Sequence, residues 1–191
     1  GLADGFQLGK FAEPSAPALG AGVVGTGLAV IRVFASWCKA DPKAVVHARM
    51  AYAMAISETG RFRRHLVWQG FNADEAGHQV YDALLVYVAG AGRGSFNHRF
   101  AQPSRDAQPL SPAFYPTDLF PFSDLPQRDP ASGATAGLLD RAYAERVVPR
   151  IFYVNTAYEY WSRGASLIHS TPEGRADAPV AEDTRIYFVA G

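Results

Sequence analysis

Ser57 lies in Ala55-Ile56-Ser57-Glu58-Thr59-Gly60, where a short apolar run gives way to a helix-like one. A serine at such a junction can be held on a sharp turn with its oxygen exposed. There the helix amino-terminus favours developing negative charge, and the next backbone amide, that of Glu58, can help to bind an oxyanion. The chemistry would be acyl transfer. The letters differ from G-x-S-x-G: Ala55 stands at the first glycine and Thr59 at the second, with Gly60 one place later. A serine that only caps the helix beginning near Thr59 fits the same letters. Glu159 is the sole carboxylate in Asn155-Thr156-Ala157-Tyr158-Glu159. It could orient an imidazole, or it could be a solvated glutamate in the first turn of a helix.

The other polar groups are less organised. His98 falls in a loop after a strand and could face a pocket, as the base or, as is expected here, as a lining residue with Asn97 and Arg99, while His47, His65, His78 and His169 fall on expected helices or their flanks. No histidine is spaced with carboxylates or with Cys38 as a metal ligand set, and there is no H-E-x-x-H, so no metal is expected. The glycines at 90–94 fit neither a phosphate loop nor G-x-G-x-x-G, and no cofactor is expected. They suit close packing at a strand end. Aromatics at 114–122 could form a lid over an apolar substrate or a simple packed loop.

The elements that must position these groups follow from periodicity. Leu28, Ile31, Phe34, Ala35 and Cys38 recur at helical spacing before Asp41-Pro42. The run 51–56 suits a buried parallel strand. A helix over 60–70 puts Phe62, Leu66 and His65 inward and Arg61, Arg63 and Arg64 toward solvent. Strands follow at 80–89, 151–155 and 185–190, and helices at 136–147 and 159–169. Residues 1–26 read as an irregular lead-in, and 93–148 as a lid-like excursion within a single domain over 27–191. Strand and helix alternate as in a mainly parallel sheet flanked by helices, an α/β fold whose active groups sit at the carboxyl ends of the strands.

Bulk composition bounds the function. A chain of 191 residues, 48% of them hydrophobic, can bury one core, and 18 basic residues against 18 acidic ones leave no net field for nucleic acid or an anionic membrane. The run 18–31 is too short to span a bilayer. One cysteine leaves the compartment open, secreted, periplasmic or cytoplasmic. Fifteen arginines against three lysines fit a GC-rich bacterial source.

Longer strings carry a resemblance. Thr59-Gly60-Arg61-Phe62, Gly70-Phe71-Asn72, the run 89–106 (Ala-Gly-Ala-Gly-Arg-Gly-Ser-Phe-Asn-His-Arg-Phe-Ala-Gln-Pro-Ser-Arg-Asp), Phe114-Tyr115-Pro116-Thr117-Asp118-Leu119-Phe120-Pro121-Phe122, Glu159-Tyr160-Trp161 and Ala165-Ser166-Leu167-Ile168-His169 closely resemble the bacterial alpha/beta hydrolase domain-containing proteins, over about 23–191. That family's elbow looks like Gly-x-Ser-Gln-Ser/Thr-Gly-Arg-Phe. The resemblance implies Ser57 as nucleophile, the Glu58 amide in the oxyanion hole, Glu159 as the acid, and a histidine after the last strand, beyond residue 191. The expected fold is then a partial α/β-hydrolase lacking its amino-terminal strands, and the expected activity is hydrolysis of a small carboxylic ester. Ala55 and Glu58 replace the family's glycine and glutamine, and the chain begins at Gly1 and stops at Gly191 with no such histidine. These features support a second expectation, a catalytically inactive fragment or binding module that keeps the fold. Missing strands would also bare a sheet edge, through which the chain is expected to associate with itself.

Overall fold

The computed structural model describes residues 26–94, 96 and 119–190. Helix α1 (Thr26–Ala40) leads into strand β1 (Tyr52–Ile56), helix α2 (Glu58–Trp68) and strand β2 (Ala83–Tyr87). Two short strands, β3 (Gln127–Arg128) and β4 (Thr135–Ala136), precede helix α3 (Asp140–Glu145). Strand β5 (Arg150–Thr156), helix α4 (Ala157–Ser162), a 3₁₀ turn (Ala165–Ile168) and strand β6 (Thr184–Val189) complete the order.

Four strands form a parallel sheet in the order β1-β2-β5-β6, and β3 and β4 form a separate antiparallel pair. The order in space is the order in the chain, so every crossover runs the same way. Parallel crossovers are right-handed, and a series of them in one direction carries its connecting helices to one face. The burial follows. Ala53, Ala55, Leu84, Val86, Ile151 and Tyr153 are buried on one face, in register across β1, β2 and β5. The alternate residues Tyr52, Met54 and Ile56 on β1, Phe152 on β5 and Tyr187 on β6 are exposed on the other. Among the described residues, β1 is paired on one side only.

Helix α2 must lie very close to the sheet, and Gly60 permits it. A Cβ there would stand 2.7 Å from the Ala89 Cβ and 3.3 Å from Val86 Cγ1. The arginines of this helix differ from expectation: Arg61 and Arg64 are buried rather than solvated. Arg64 donates to the carbonyls of Ala91 (2.7 Å) and Phe122 (2.5 Å), and its guanidinium lies over the Tyr153 ring, 5.0 Å from the centroid. The two carbonyls and the π face replace part of the water lost to the charge, while Nε and Nη1 are buried without a hydrogen-bond partner among the described residues.

Three further features differ from expectation. Phe34 is exposed, since Leu28, Arg32 and Ala35 form the buried stripe of α1. The helix expected over 136–147 shortens to α3, whose end is set by Arg146 in the left-handed region (φ 59°). The helix expected over 159–169 breaks at Gly164, also left-handed (φ 55°), where a 3₁₀ turn begins. Of the excursion, the part from Leu119 onward packs into the core through Phe122, Leu125, Leu139 and Ala142.

Asp124 ties that part to the sheet. It is buried and accepts from the Tyr153 hydroxyl at 2.7 Å and the Thr184 hydroxyl at 2.6 Å, joining the excursion to β5 and β6. Burial pushes the Tyr153 hydroxyl well above the usual tyrosine pKa. Arg64 opposes that shift and Asp124 reinforces it, and the group stays a donor. Replacing Asp124 with alanine leaves two buried hydroxyls without their acceptor. The expected cost is about 2–5 kcal/mol in urea unfolding, against about 1 kcal/mol for Thr184→Val. An Asp124→Ala change below about 0.5 kcal/mol would show that the network holds nothing together.

Candidate active site

The carboxyl ends of the strands bring Ser57, after β1, and the β5–α4 junction that carries Glu159 to the same end of the sheet. Ser57 follows β1 directly and has φ 54° and ψ −116°, outside the regions open to ordinary L-residues. It is exposed, and its side chain makes no capping hydrogen bond. The helix-capping alternative therefore does not describe it. The strained conformation is fixed on both sides. The Ser57 amide donates to the Tyr87 carbonyl at 2.8 Å, and its carbonyl accepts from the Arg61 amide at 3.1 Å, the first such bond of α2. Helical geometry leaves the amides of Glu58, Thr59 and Gly60 without intrahelical acceptors, pointing out of the amino-terminus beside the serine.

The residues around the turn answer the two substitutions noted in the sequence. Ala55 is buried, and its carbonyl lies 3.5 Å from where a Gly60 Cβ would be, so the methyl group of Ala55 is accommodated while Gly60 keeps the close approach. The Glu58 carboxylate pairs with the guanidinium of Arg61, one turn along the helix and nearly buried. Its negative charge is thus partly balanced by that cation.

Glu159 is buried in the first turn of α4. Its Oε2 accepts from the Thr156 amide at 2.8 Å and from the Thr156 hydroxyl at 2.6 Å, which makes it half of a capping box. Among the described residues Oε1 takes no hydrogen bond. The solvated-glutamate alternative does not hold. Register sets the spacing: Ile56, Tyr87 and Val154 are level across β1, β2 and β5. Two interstrand steps thus separate the ends of β1 and β5, about 10 Å, a gap that an imidazole and a glutamate side chain can span together. Thr156 is level with Val189, so β6 ends at the same edge, beside Glu159.

Between them, the loop after β2 is tightly held. Val88 has φ 47°, unusual for a β-branched residue, and its amide donates to the Val154 carbonyl at 2.7 Å. Gly90 (φ 71°) donates to Asn155 Oδ1 at 3.0 Å, and a Cβ on it would fall 2.4 Å from the Arg163 Cβ. Neither Val88 nor buried Asn155 was singled out by sequence; Gly90 was visible only as one member of a glycine run.

Asn97, His98 and Arg99 lie outside the described residues. The remaining histidines are elsewhere or engaged: buried His65 is 3.3 Å from Gln69 Nε2 and 3.3 Å from Arg93 Nη1, and His169 Nε2 is 2.9 Å from the Tyr160 hydroxyl. His78 is paired with Asp74. Among the described residues no three His, Cys, Asp or Glu side chains are grouped to hold a metal ion, and no helix is long and apolar enough to cross a membrane.

No curated protein and no solved structure matches the chain. A family model does: that of the alpha/beta hydrolase domain matches residues 17–191. The match runs through the strained serine turn, all four parallel strands and Glu159, and by it the chain belongs to the alpha/beta hydrolase family.

Proposed function

We propose that the chain carries the nucleophile and the acid of a serine hydrolase acting on small carboxylic esters. The observation that carries this reading is the Ser57 backbone, a non-glycine residue held at φ 54° and exposed where a strand meets a helix amino-terminus. Such strain persists where the surroundings over-determine it, and it clusters at sites of chemistry. In the proposed reaction Ser57 Oγ attacks the ester carbonyl and its proton passes to a histidine from the segment after β6. The Glu58 amide and a second donor hold the oxyanion, and Glu159 keeps the imidazole in the working tautomer through its open oxygen. The alcohol leaves with the proton, and water then releases the acid by the same steps.

A second reading is a binding or structural module that keeps the fold without turnover. The capping box favours it, because capping alone accounts for a glutamate at position 159.

Fluorophosphonate labelling separates the two. In the polypeptide that includes the segment after β6, Ser57 Oγ is expected to displace fluoride, giving a covalent phosphonyl adduct at Ser57 that Ser57→Ala abolishes. Glu159→Gln is expected to lower kcat roughly 10³- to 10⁴-fold with little change in KM. A folded protein that neither labels nor turns over esters supports the module.

Strain at the turn has its own signature. Ser57→Gly removes the steric penalty of the positive φ and is expected to stabilise the fold by about 1 kcal/mol, or about 2–4 °C in Tm, while losing all labelling. A lower Tm in that variant would mean that the turn stores no strain.

We further propose that the 191-residue chain self-associates along β1. Tyr52 and Met54 are exposed there, and the strand is paired on one side only among the described residues. Light scattering is expected to give a mass that rises with concentration; a constant monomer mass would contradict it.

A further inference from the structure

Thr59 stands where the G-x-S-x-G pattern has its second glycine, and in this molecule its hydroxyl has a defined task. In the ladder between β1 and β2, the Ala51 carbonyl accepts from the Asp82 amide and the Ser57 amide donates to the Tyr87 carbonyl. A parallel strand turns both backbone groups of one residue to the same side and those of the next residue to the other. Residues 51 and 57 therefore face β2, and both backbone groups of Ile56 face the open side of β1. There Thr59 Oγ1 meets both: it accepts from the Ile56 amide at 2.9 Å and donates to the Ile56 carbonyl at 2.8 Å. One hydroxyl thus does for Ile56 what a neighbouring strand would do.

The effect falls on Ser57. The peptide joining Ile56 to Ser57 is fixed from both directions, its carbonyl by Thr59 and its amide by Tyr87. The following peptide is fixed by the start of α2, to which Thr59 belongs. With both flanking peptides held, the serine has no cheap way out of its strained φ and ψ. Glycine at 59 would leave Ile56 with two loose polar groups and the turn with one support fewer.

We infer that Thr59 is a positioning residue, a clasp that holds the Ser57 turn in its reactive shape without touching substrate. The inference rests on the hydrolase reading of Ser57 proposed above. It also predicts that a strand pairing with β1 on its open side stops short of Ile56, leaving room beside the serine.

The test compares wild type, Thr59→Ser and Thr59→Val in the polypeptide that includes the segment after β6. Valine keeps the shape and removes the hydroxyl; serine keeps the hydroxyl. The readouts are the rate of fluorophosphonate labelling at Ser57, kcat and KM for an ester, amide exchange at Ile56, and Tm. Wild type and Thr59→Ser are expected to label at similar rates. Thr59→Val is expected to label at least about tenfold more slowly, with kcat reduced in step, KM unchanged, Ile56 exchange faster and Tm within a few degrees of wild type. Labelling of Thr59→Val at the wild-type rate overturns the inference and leaves the hydrolase reading intact. A loss that Thr59→Ser fails to recover also overturns it, because the hydroxyl is then not the cause. A wild-type protein that does not label overturns both.

Discussion

Between Gly60 and Ala89 there is no room for one more carbon atom, and the rest of the molecule is arranged around that closeness. Because α2 lies directly on β1 and β2, the chain leaving β1 must reverse within a single residue, and Ser57 absorbs the reversal in a backbone conformation that L-residues avoid. The cost, about 1–3 kcal/mol for such a residue, is met by a rigid frame: a ladder bond to Tyr87, the first turn of a helix, and the Thr59 hydroxyl. The exposed serine and the free amides of the helix terminus are by-products of the same packing decision. The chemistry proposed for this position would begin as a problem of fitting a helix onto a sheet.

The frame is stiffened from beneath by polar groups that a purely apolar core would not need. Arg64 reaches from α2 to carbonyls on two loops, and Asp124 gathers hydroxyls from β5 and β6. Together they connect the serine helix, the strand that leads to Glu159, and the strand beyond it. Buried networks of this kind add little net stability over well-packed hydrocarbon, but their directional bonds allow few alternative arrangements. That suits the proposed pair, Ser57 after β1 and Glu159 in α4, whose strands end about 10 Å apart.

Much of this is legible in the letters. The switch from an apolar run to a helical one at Ser57 and a strand over 151–155, which runs from 150 to 156 in the structure, follow from local pattern, and the alternation of elements gives the parallel sheet; Glu159, expected on a loop, falls instead in the first turn of α4. The arginines of α2 are not legible, because their partners lie far along the chain: the carbonyls that receive Arg64 are 27 and 58 residues away. Three arginines within four helical positions look solvated until tertiary contacts are known. The positive φ of Val88 has no sequence signature, since β-branched residues are the least expected there. Strands of two residues, as in β3 and β4, are too short to show a period. The capping box is different: Thr156 and Glu159 carry the T-x-x-E spacing openly, and burial adds only that the carboxylate is held rather than solvated.

Agreement between spatial and sequential strand order bears on how the molecule comes into being. Each strand needs only the edge laid down by the one before it, so the sheet can grow outward as synthesis proceeds, without any strand inserting between two already paired. The exception is the step from β2 to β5, where more than sixty residues intervene before the next partner exists. Until β5 is made, Leu84 and Val86 have no neighbour on that side. During that interval the nascent chain exposes the β2 edge as well as the side of β1 that is unpaired among the described residues.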